Sequence, residues 1–279
     1  MAFQYMLAPL EDTSDNALRT LCHRYGADVT FTEMARTDSL ARKNKSTLEK
    51  TQLHDDTPTW IQVLGTRDQV LKRYLSFFEP QPGFLGFNFN LGCPSPHVIR
   101  NGLGCAMIKR ISKTQKMVNI VKDYGYSVSI KMRLGMNKFE KEKKVYLNLI
   151  DAVEADFFVV HGRYGNQTYE EPSDHNAIIE CVQLGKPIIA NGDITSKEQV
   201  AFLSAAGVQG AMIGRAAVLN PAIFNMLKGE QAPSIEQLKK EYLELAERFK
   251  SPFKYQKNVL KYIGRPLSTV KQVHEPVAK

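Results

Sequence analysis

Short apolar runs recur along this chain, and successive runs are separated by enough residues for one amphipathic helix. The runs lie at residues 4–8, 28–32, 59–64, 85–88, 127–132, 157–160, 187–190 and 210–213. Most lack strict alternation of apolar and polar residues, the pattern of strands covered on both faces of a parallel sheet. Segments 16–25, 67–78, 112–124, 141–154 and 197–206 carry apolar residues at helical spacing between them. This alternation predicts an α/β fold, and its repetition predicts a (β/α)8 TIM barrel. An open doubly wound sheet shares the alternation, because periodicity does not register closure. A length of 279 residues holds one barrel of about 250.

After Gly229 the pattern changes. Ser234 offers an N-cap for a helix reaching about residue 250, Ser251-Pro252 breaks it, and a second helix is expected over 253–262. The expected division is a barrel over 1–229 and a small C-terminal helical domain over 230–279. The net charge is +8, and the basic residues are unevenly spread. Between Arg248 and His274 there are seven Lys or Arg and no Asp or Glu, with Phe249, Phe253, Tyr255 and Tyr262 interleaved. Lys254, Lys257 and Lys261 recur at helical spacing, which suits a phosphate-rich partner and equally a solvated helix face.

No apolar run approaches the ~20 residues of a membrane helix. The first residues lack the basic-then-apolar pattern of a secretory signal. The four cysteines, Cys22, Cys93, Cys105 and Cys181, form no CxxC pair and no zinc-type cluster with histidine. Neither a disulfide framework nor a metal is expected, and a reduced, cytoplasmic location follows.

In a barrel, chemistry gathers at the C-terminal ends of the strands. Here those ends read Ala8-Pro9-Leu10-Glu11, Thr32-Glu33, Gln62 within the third run, Asn90 to Cys93, Lys131-Met132-Arg133, His161-Gly162-Arg163, Asn191-Gly192-Asp193 and Gly214-Arg215. The last two suit a phosphate: Gly192 admits close approach to backbone N–H groups, and Arg215 forks onto anionic oxygens at the start of a helix. Lys131 emerges at the mouth, either to stabilise charge on a reduced cofactor ring or to pair with Glu33. His161 is placed for a ligand or substrate contact, and the Gln62 amide for a ring edge. Cys93 sits between a glycine and a proline on a turn after an apolar strand. That position leaves a core thiol, a nucleophile and a general acid all open. An unperturbed thiol titrates near about 8.5, so it stays mostly protonated at neutral pH. Cys22 and Cys181 are expected to pack in helices. Cys105 lies in Gly102-Leu103-Gly104-Cys105, a mobile-looking loop with no assigned role.

Taken in order, Leu7-Ala8-Pro9, Thr32-Glu33-Met34, Asn90-Leu91-Gly92-Cys93-Pro94, Lys131-Met132-Arg133-Leu134-Gly135, His161-Gly162-Arg163, Asn191-Gly192-Asp193-Ile194 and Met212-Ile213-Gly214-Arg215 give the chain a specific likeness. Over residues 7–224 it resembles the tRNA-dihydrouridine synthase family. The resemblance implies an FMN-dependent barrel that reduces the C5–C6 double bond of selected uridines in tRNA, with NADPH as reductant. It implies that Ala8, Pro9, Leu10 and Glu11 line the FMN and that Gln62 and Lys131 lie at the isoalloxazine. His161 would sit near the ring, and Asn191, Gly192, Asp193, Gly214 and Arg215 would hold the ribityl phosphate. Cys93 would be the general acid, protonating uracil C5 opposite the face where C6 receives hydride. Asn90, Arg133, Arg163 and Arg100 are assigned to the substrate side, with Lys254, Lys257 and Lys261 gripping tRNA and Lys109 and Arg110 extending the track.

The chain departs from the family pattern in four places. Glu11-Asp12-Thr13 replaces small residues, Asn88 stands where many members have aspartate, residues 164–172 are only loosely alike, and the tail is shorter. Two other readings share some of these features. A small-molecule FMN oxidoreductase, such as a dihydroorotate dehydrogenase-like enzyme, would not call for the basic tail. A non-catalytic tRNA-binding protein would carry no flavin.

Overall fold

The computed structural model describes residues 2–270. Strands β1 (Gln4–Leu7), β2 (Thr30–Phe31), β3 (Ala35–Arg36), β4 (Thr59–Leu64), β5 (Phe84–Leu91), β6 (Val128–Arg133), β7 (Phe158–His161), β8 (Ile188–Asn191) and β9 (Gly210–Ile213) form one sheet. Its order is β1-β9-β8-β7-β6-β5-β4-β2, with β3 also pairing β4, and the pairings are parallel. A bridge between Met6 and Val29, with Leu7 N donating to Val29 O at 2.9 Å, joins the first strand to the second. The sheet thereby returns on itself as a TIM barrel rather than an open sheet, and β2 and β3 together make its second stave.

Helices Asn16–Arg24, Asp68–Leu75, Ile111–Asp123 and Lys197–Ala205 lie within a few residues of their expected positions. The helix expected over 141–154 is two, Lys138–Glu142 and Val145–Ala152. Lys144 takes a left-handed φ of 51° between them and interrupts the hydrogen-bond ladder. A helix over His175–Val182, which the sequence reading passed over, is capped by Asp174, whose carboxylate accepts from Ala177 N at 3.0 Å.

Two layers of core support the mouth. One lies between sheet and helices. The other fills the barrel with Met6, Ala8, Val29, Phe31, Trp60, Val159, Ile189 and Met212. Trp60 stacks on Phe31 at 6.5 Å between centroids and meets Phe157 edge-on at 5.0 Å. This plug fills the barrel beneath the mouth.

In the tail, helices Ile235–Arg248 and Phe253–Tyr262 form as expected, and the Ser234 hydroxyl accepts from Gln237 N at 3.2 Å. Leu238, Tyr242, Leu245, Ala246, Val259 and Ile263 join the barrel's outer core. The first tail helix packs on Asn16–Arg24, and the Tyr25 hydroxyl donates to Glu241 at 2.7 Å. The end of the basic stretch, including Lys271 and His274, lies outside the described residues.

Candidate active site

Above Trp60 the inward positions of three adjacent strands turn polar. Gln62, Asn88 and Ser129 are register neighbours on β4, β5 and β6, and all are buried. Gln62 Nε2 donates to Asn88 Oδ1 at 2.8 Å, and Asn88 Nδ2 donates to Ser129 Oγ at 2.9 Å. A neutral amide at 88 completes this ladder without burying a charge. One pleat higher, Asn90 Nδ2 donates to Gln62 Oε1 at 2.9 Å. Its Oδ1 accepts from Gly92 N at 3.0 Å and Cys93 N at 2.9 Å. The amide of Asn90 therefore folds the chain into the turn that carries Cys93. Asn90, assigned to substrate from sequence, engages the turn through Oδ1 and Gln62 on β4 through Nδ2.

A second segment braces the turn from beneath. Cys105 N donates to Cys93 O at 3.1 Å, and Cys105 Sγ donates to Gly92 O at 3.1 Å. Gly104 adopts φ of 56°, and a Cβ there would lie 2.4 Å from Cys93 O, so this approach requires glycine. The mobile-looking loop is thus a short helical turn, Gly104–Met107, with a structural task. Burial pushes the Cys105 thiol up to about 12. Cys93 itself is half-buried against Leu64, Val98, Leu103 and Met34. Burial raises its thiol above the ordinary cysteine range, opposed in part by a hydrogen bond from the Ser95 backbone. Cys93 therefore carries a proton at neutral pH.

Ala8, Pro9, Leu10, Lys131, His161, Asn191, Gly192, Asp193, Gly214 and Arg215 line one cavity at the mouth, joined by Arg163, Tyr169 and, from the tail, Leu267. Lys131 Nζ donates to Asn191 Oδ1 at 2.9 Å, and Asn191 Nδ2 donates to Met212 O at 2.8 Å, so three strands are tied beneath the cavity. The alternative partner of Lys131, Glu33, is instead engaged by Lys50 and Tyr255. Burial, with help from Arg133, pushes the Lys131 ammonium down to about 7. His161 is held neutral by burial and by the cations Arg133, Lys131, Arg163 and Arg215. Arg163 Nη1 lies 3.2 Å from His161 Nε2. A guanidinium only donates, so Nε2 accepts and the imidazole proton resides on Nδ1.

The far wall is built around Asp193, whose φ is 55°. Its carboxylate pairs with Arg163 and with Arg215, the latter at 2.6 Å, and accepts from Ser173 N at 3.0 Å. Gly192 has φ of 113°, and a Cβ there would lie 2.4 Å from Ser173 Oγ and 2.7 Å from His161 Cδ2. Ser173 Oγ is buried with no hydrogen-bond partner among the described residues. A Cβ on Gly214 would meet nothing nearer than 3.5 Å. The open Gly214 edge and the Arg215 guanidinium beside it fit a phosphate monoester, and the apolar Ala8-Pro9-Leu10 edge fits an aromatic ring next to it.

Arg163, assigned to the substrate side from sequence, lines the cavity but is fully buried, with Nε and Nη2 donating to Glu171 O at 2.9 and 2.6 Å. Arg133 is also buried, and its Nη1 donates to Tyr164 O at 2.8 Å, holding the loop after β7. Gln62 lies beneath the cavity, in the amide ladder. Glu11 faces away from it and accepts from Lys50 at 2.9 Å. Lys254 is paired with Asp12, whereas Arg100, Lys257 and Lys261 are exposed.

The unusual Glu11-Asp12-Thr13 segment docks the tail. Asn258 Nδ2 donates to Asp12 O at 2.9 Å, Asp12 N donates to Glu33 Oε2 at 3.0 Å, and the Tyr255 hydroxyl donates to Glu33. Sequence reasoning missed Tyr169. It lies in an irregular loop, where no periodicity marks an inward residue.

A family model for dihydrouridine synthase (Dus) matches residues 6–275. A probable tRNA-dihydrouridine synthase of Helicobacter pylori is 33% identical over 226 residues, covering 78% of this chain and 68% of its own. The tRNA-dihydrouridine synthase B of Pseudomonas putida is 28% identical over 278 residues, covering 95% of this chain and 82% of its own. Among solved structures, morphinone reductase superposes with a TM-score of 0.56 at 9% identity, over 86% of this chain and 88% of that one, a likeness of fold. The family match spans the barrel, the Cys93 turn, the mouth cavity and the docked tail, and the chain belongs to the dihydrouridine synthase family.

Proposed function

We propose that this protein reduces the C5–C6 bond of uridine in tRNA, using FMN and NADPH. The observation that carries this reading is a protonated thiol on a rigid turn at the same barrel mouth as a cavity fitted to a ring and a phosphate. Bound FMN, reduced by NADPH, supplies hydride to uracil C6. Gly192, Gly214 and Arg215 would hold its phosphate, with Asp193 orienting the arginine. Ala8, Pro9 and Leu10 would line its ring, and Lys131 and Asn191 would offer polar groups to it. His161 presents Nδ1–H without adding charge.

Cys93 Sγ holds the proton that passes to uracil C5. A neutral thiol suits this step, because a charged acid would be costly to desolvate beside the base. The thiolate left behind regains a proton from solvent, favoured by the raised affinity of the buried sulfur. The target base has to leave its stack to reach this depth. Arg100, Lys257 and Lys261, all exposed, would hold backbone phosphates while that base enters, and the 230–279 tail would serve as a tRNA-binding element. No helix among the described residues is long and apolar enough to cross a membrane, and a tRNA substrate implies work in the cytoplasm.

The test is direct. Purified protein should show a flavin absorbance band and form dihydrouridine in unmodified tRNA supplied with NADPH, read by nucleoside mass spectrometry. Colourless protein that FMN does not reconstitute, or flavin-loaded protein that forms no dihydrouridine, would overturn the reading.

A further inference from the structure

The loop after β7 places one side chain in the cavity wall that the reaction above leaves unused. The ring of Tyr169 is approached by Arg215 at 4.3 Å, Arg163 at 5.3 Å and Arg133 at 5.8 Å from its centroid. It also stacks on His161, 6.2 Å away and tilted by 27°. The loop is pinned from both sides: Arg133 donates to the Tyr164 and Gly165 carbonyls, and Arg163 to those of Tyr169 and Glu171.

Three guanidiniums gathered around one ring repel one another. Asp193 pairs with two of them, Arg163 and Arg215. An aromatic face adds a negative quadrupole without adding a net charge that would oppose an incoming anion. Arg215 is the nearest of the three to the ring, and it is also the one placed beside Gly214 at the cavity edge. The unpartnered Ser173 hydroxyl lies in the same loop, four residues on.

We propose that Tyr169 is a positioning residue for the cofactor phosphate, its ring holding Arg215 against Asp193 so that the remaining guanidinium N–H groups face the cavity. The inference rests on the FMN reading and concerns the phosphate end alone. Riboflavin, which lacks the phosphate, should therefore not sense the ring.

Flavin-free protein is titrated with FMN and with riboflavin, following flavin fluorescence, in the wild type and in Tyr169→Leu and Tyr169→Phe. A cation–π contact of this kind is worth about 0.5–2 kcal/mol. Tyr169→Leu should therefore weaken FMN by roughly tenfold and leave riboflavin within about twofold. Tyr169→Phe, which keeps the aromatic face, should bind FMN like the wild type. Equal losses of FMN and riboflavin, unchanged FMN affinity in Tyr169→Leu, or a Tyr169→Phe variant as weak as Tyr169→Leu would each overturn the proposal. Wild-type protein that binds neither flavin would instead overturn the cofactor reading, and this inference with it.

Discussion

Arg163→Met tests whether the barrel mouth is assembled before any ligand arrives. The Arg163 guanidinium is fully buried and spends its donors on Glu171 O, His161 Nε2, Tyr169 O and Asp193. Methionine keeps a flexible apolar stem of similar reach and removes only the donors. Breaking a buried ion pair by deleting one partner costs about 3–5 kcal/mol. Asp193 keeps Arg215 and the Ser173 N–H, and the exposed Glu171 lets water reach its carbonyl, so the low end applies. At roughly 2–3 °C per kcal/mol for a chain of this size, a loss of about 3 kcal/mol lowers the melting temperature by about 6–9 °C. Scanning calorimetry of the flavin-free protein reads this, with Lys257→Met on the exposed tail helix as a control expected within about 1 °C. An Arg163→Met protein that melts within about 2 °C of wild type would refute the internal brace.

Two further perturbations address the floor of the cavity and the tail. Lys131 titrates near 7 in the folded chain and near about 10.4 when unfolded. Between those values the unfolded chain holds the extra proton, so this group's contribution to stability rises with pH from about 7 to about 10. Lys131→Met should flatten that rise in melting temperature, and parallel profiles for variant and wild type would contradict the buried setting. Tyr255→Phe removes the hydroxyl that donates to the buried Glu33. It should cost about 1–3 kcal/mol and speed proteolytic removal of the tail; unchanged melting and unchanged cleavage would show that this contact does not hold the tail in place.

The barrel was legible because its strands are buried on both faces and so appear as continuous apolar runs. β4 and β9 occupy the very residues marked out by their runs. Closure was not legible, since it rests on a bridge between Met6 and Val29 that no local pattern encodes. Nor was the break at Lys144, because a left-handed lysine carries no signature of the kind a glycine would leave. At the mouth, strand-end position picked out Lys131, His161, Asn191, Asp193 and Arg215, which the structure gathers around one cavity. Residue type alone did not show that Arg163 and Arg133 would spend guanidinium donors on the backbone of the loop after β7. Glu11-Asp12-Thr13 departs from the family pattern of small residues. Its reason is tertiary: a helix more than two hundred residues later docks there through Lys254, Tyr255 and Asn258.

The central claim is that the thiol on the Asn90 turn gives its proton to uracil C5. Single-turnover formation of dihydrouridine by FMN-loaded, prereduced protein, compared between wild type and Cys93→Ala, tests it most directly. General acid catalysis contributes about 10²–10⁴-fold, so the variant should bind FMN with unchanged affinity and spectrum and lose that factor in rate. A Cys93→Ala protein that forms dihydrouridine within about threefold of the wild-type rate would contradict the assignment.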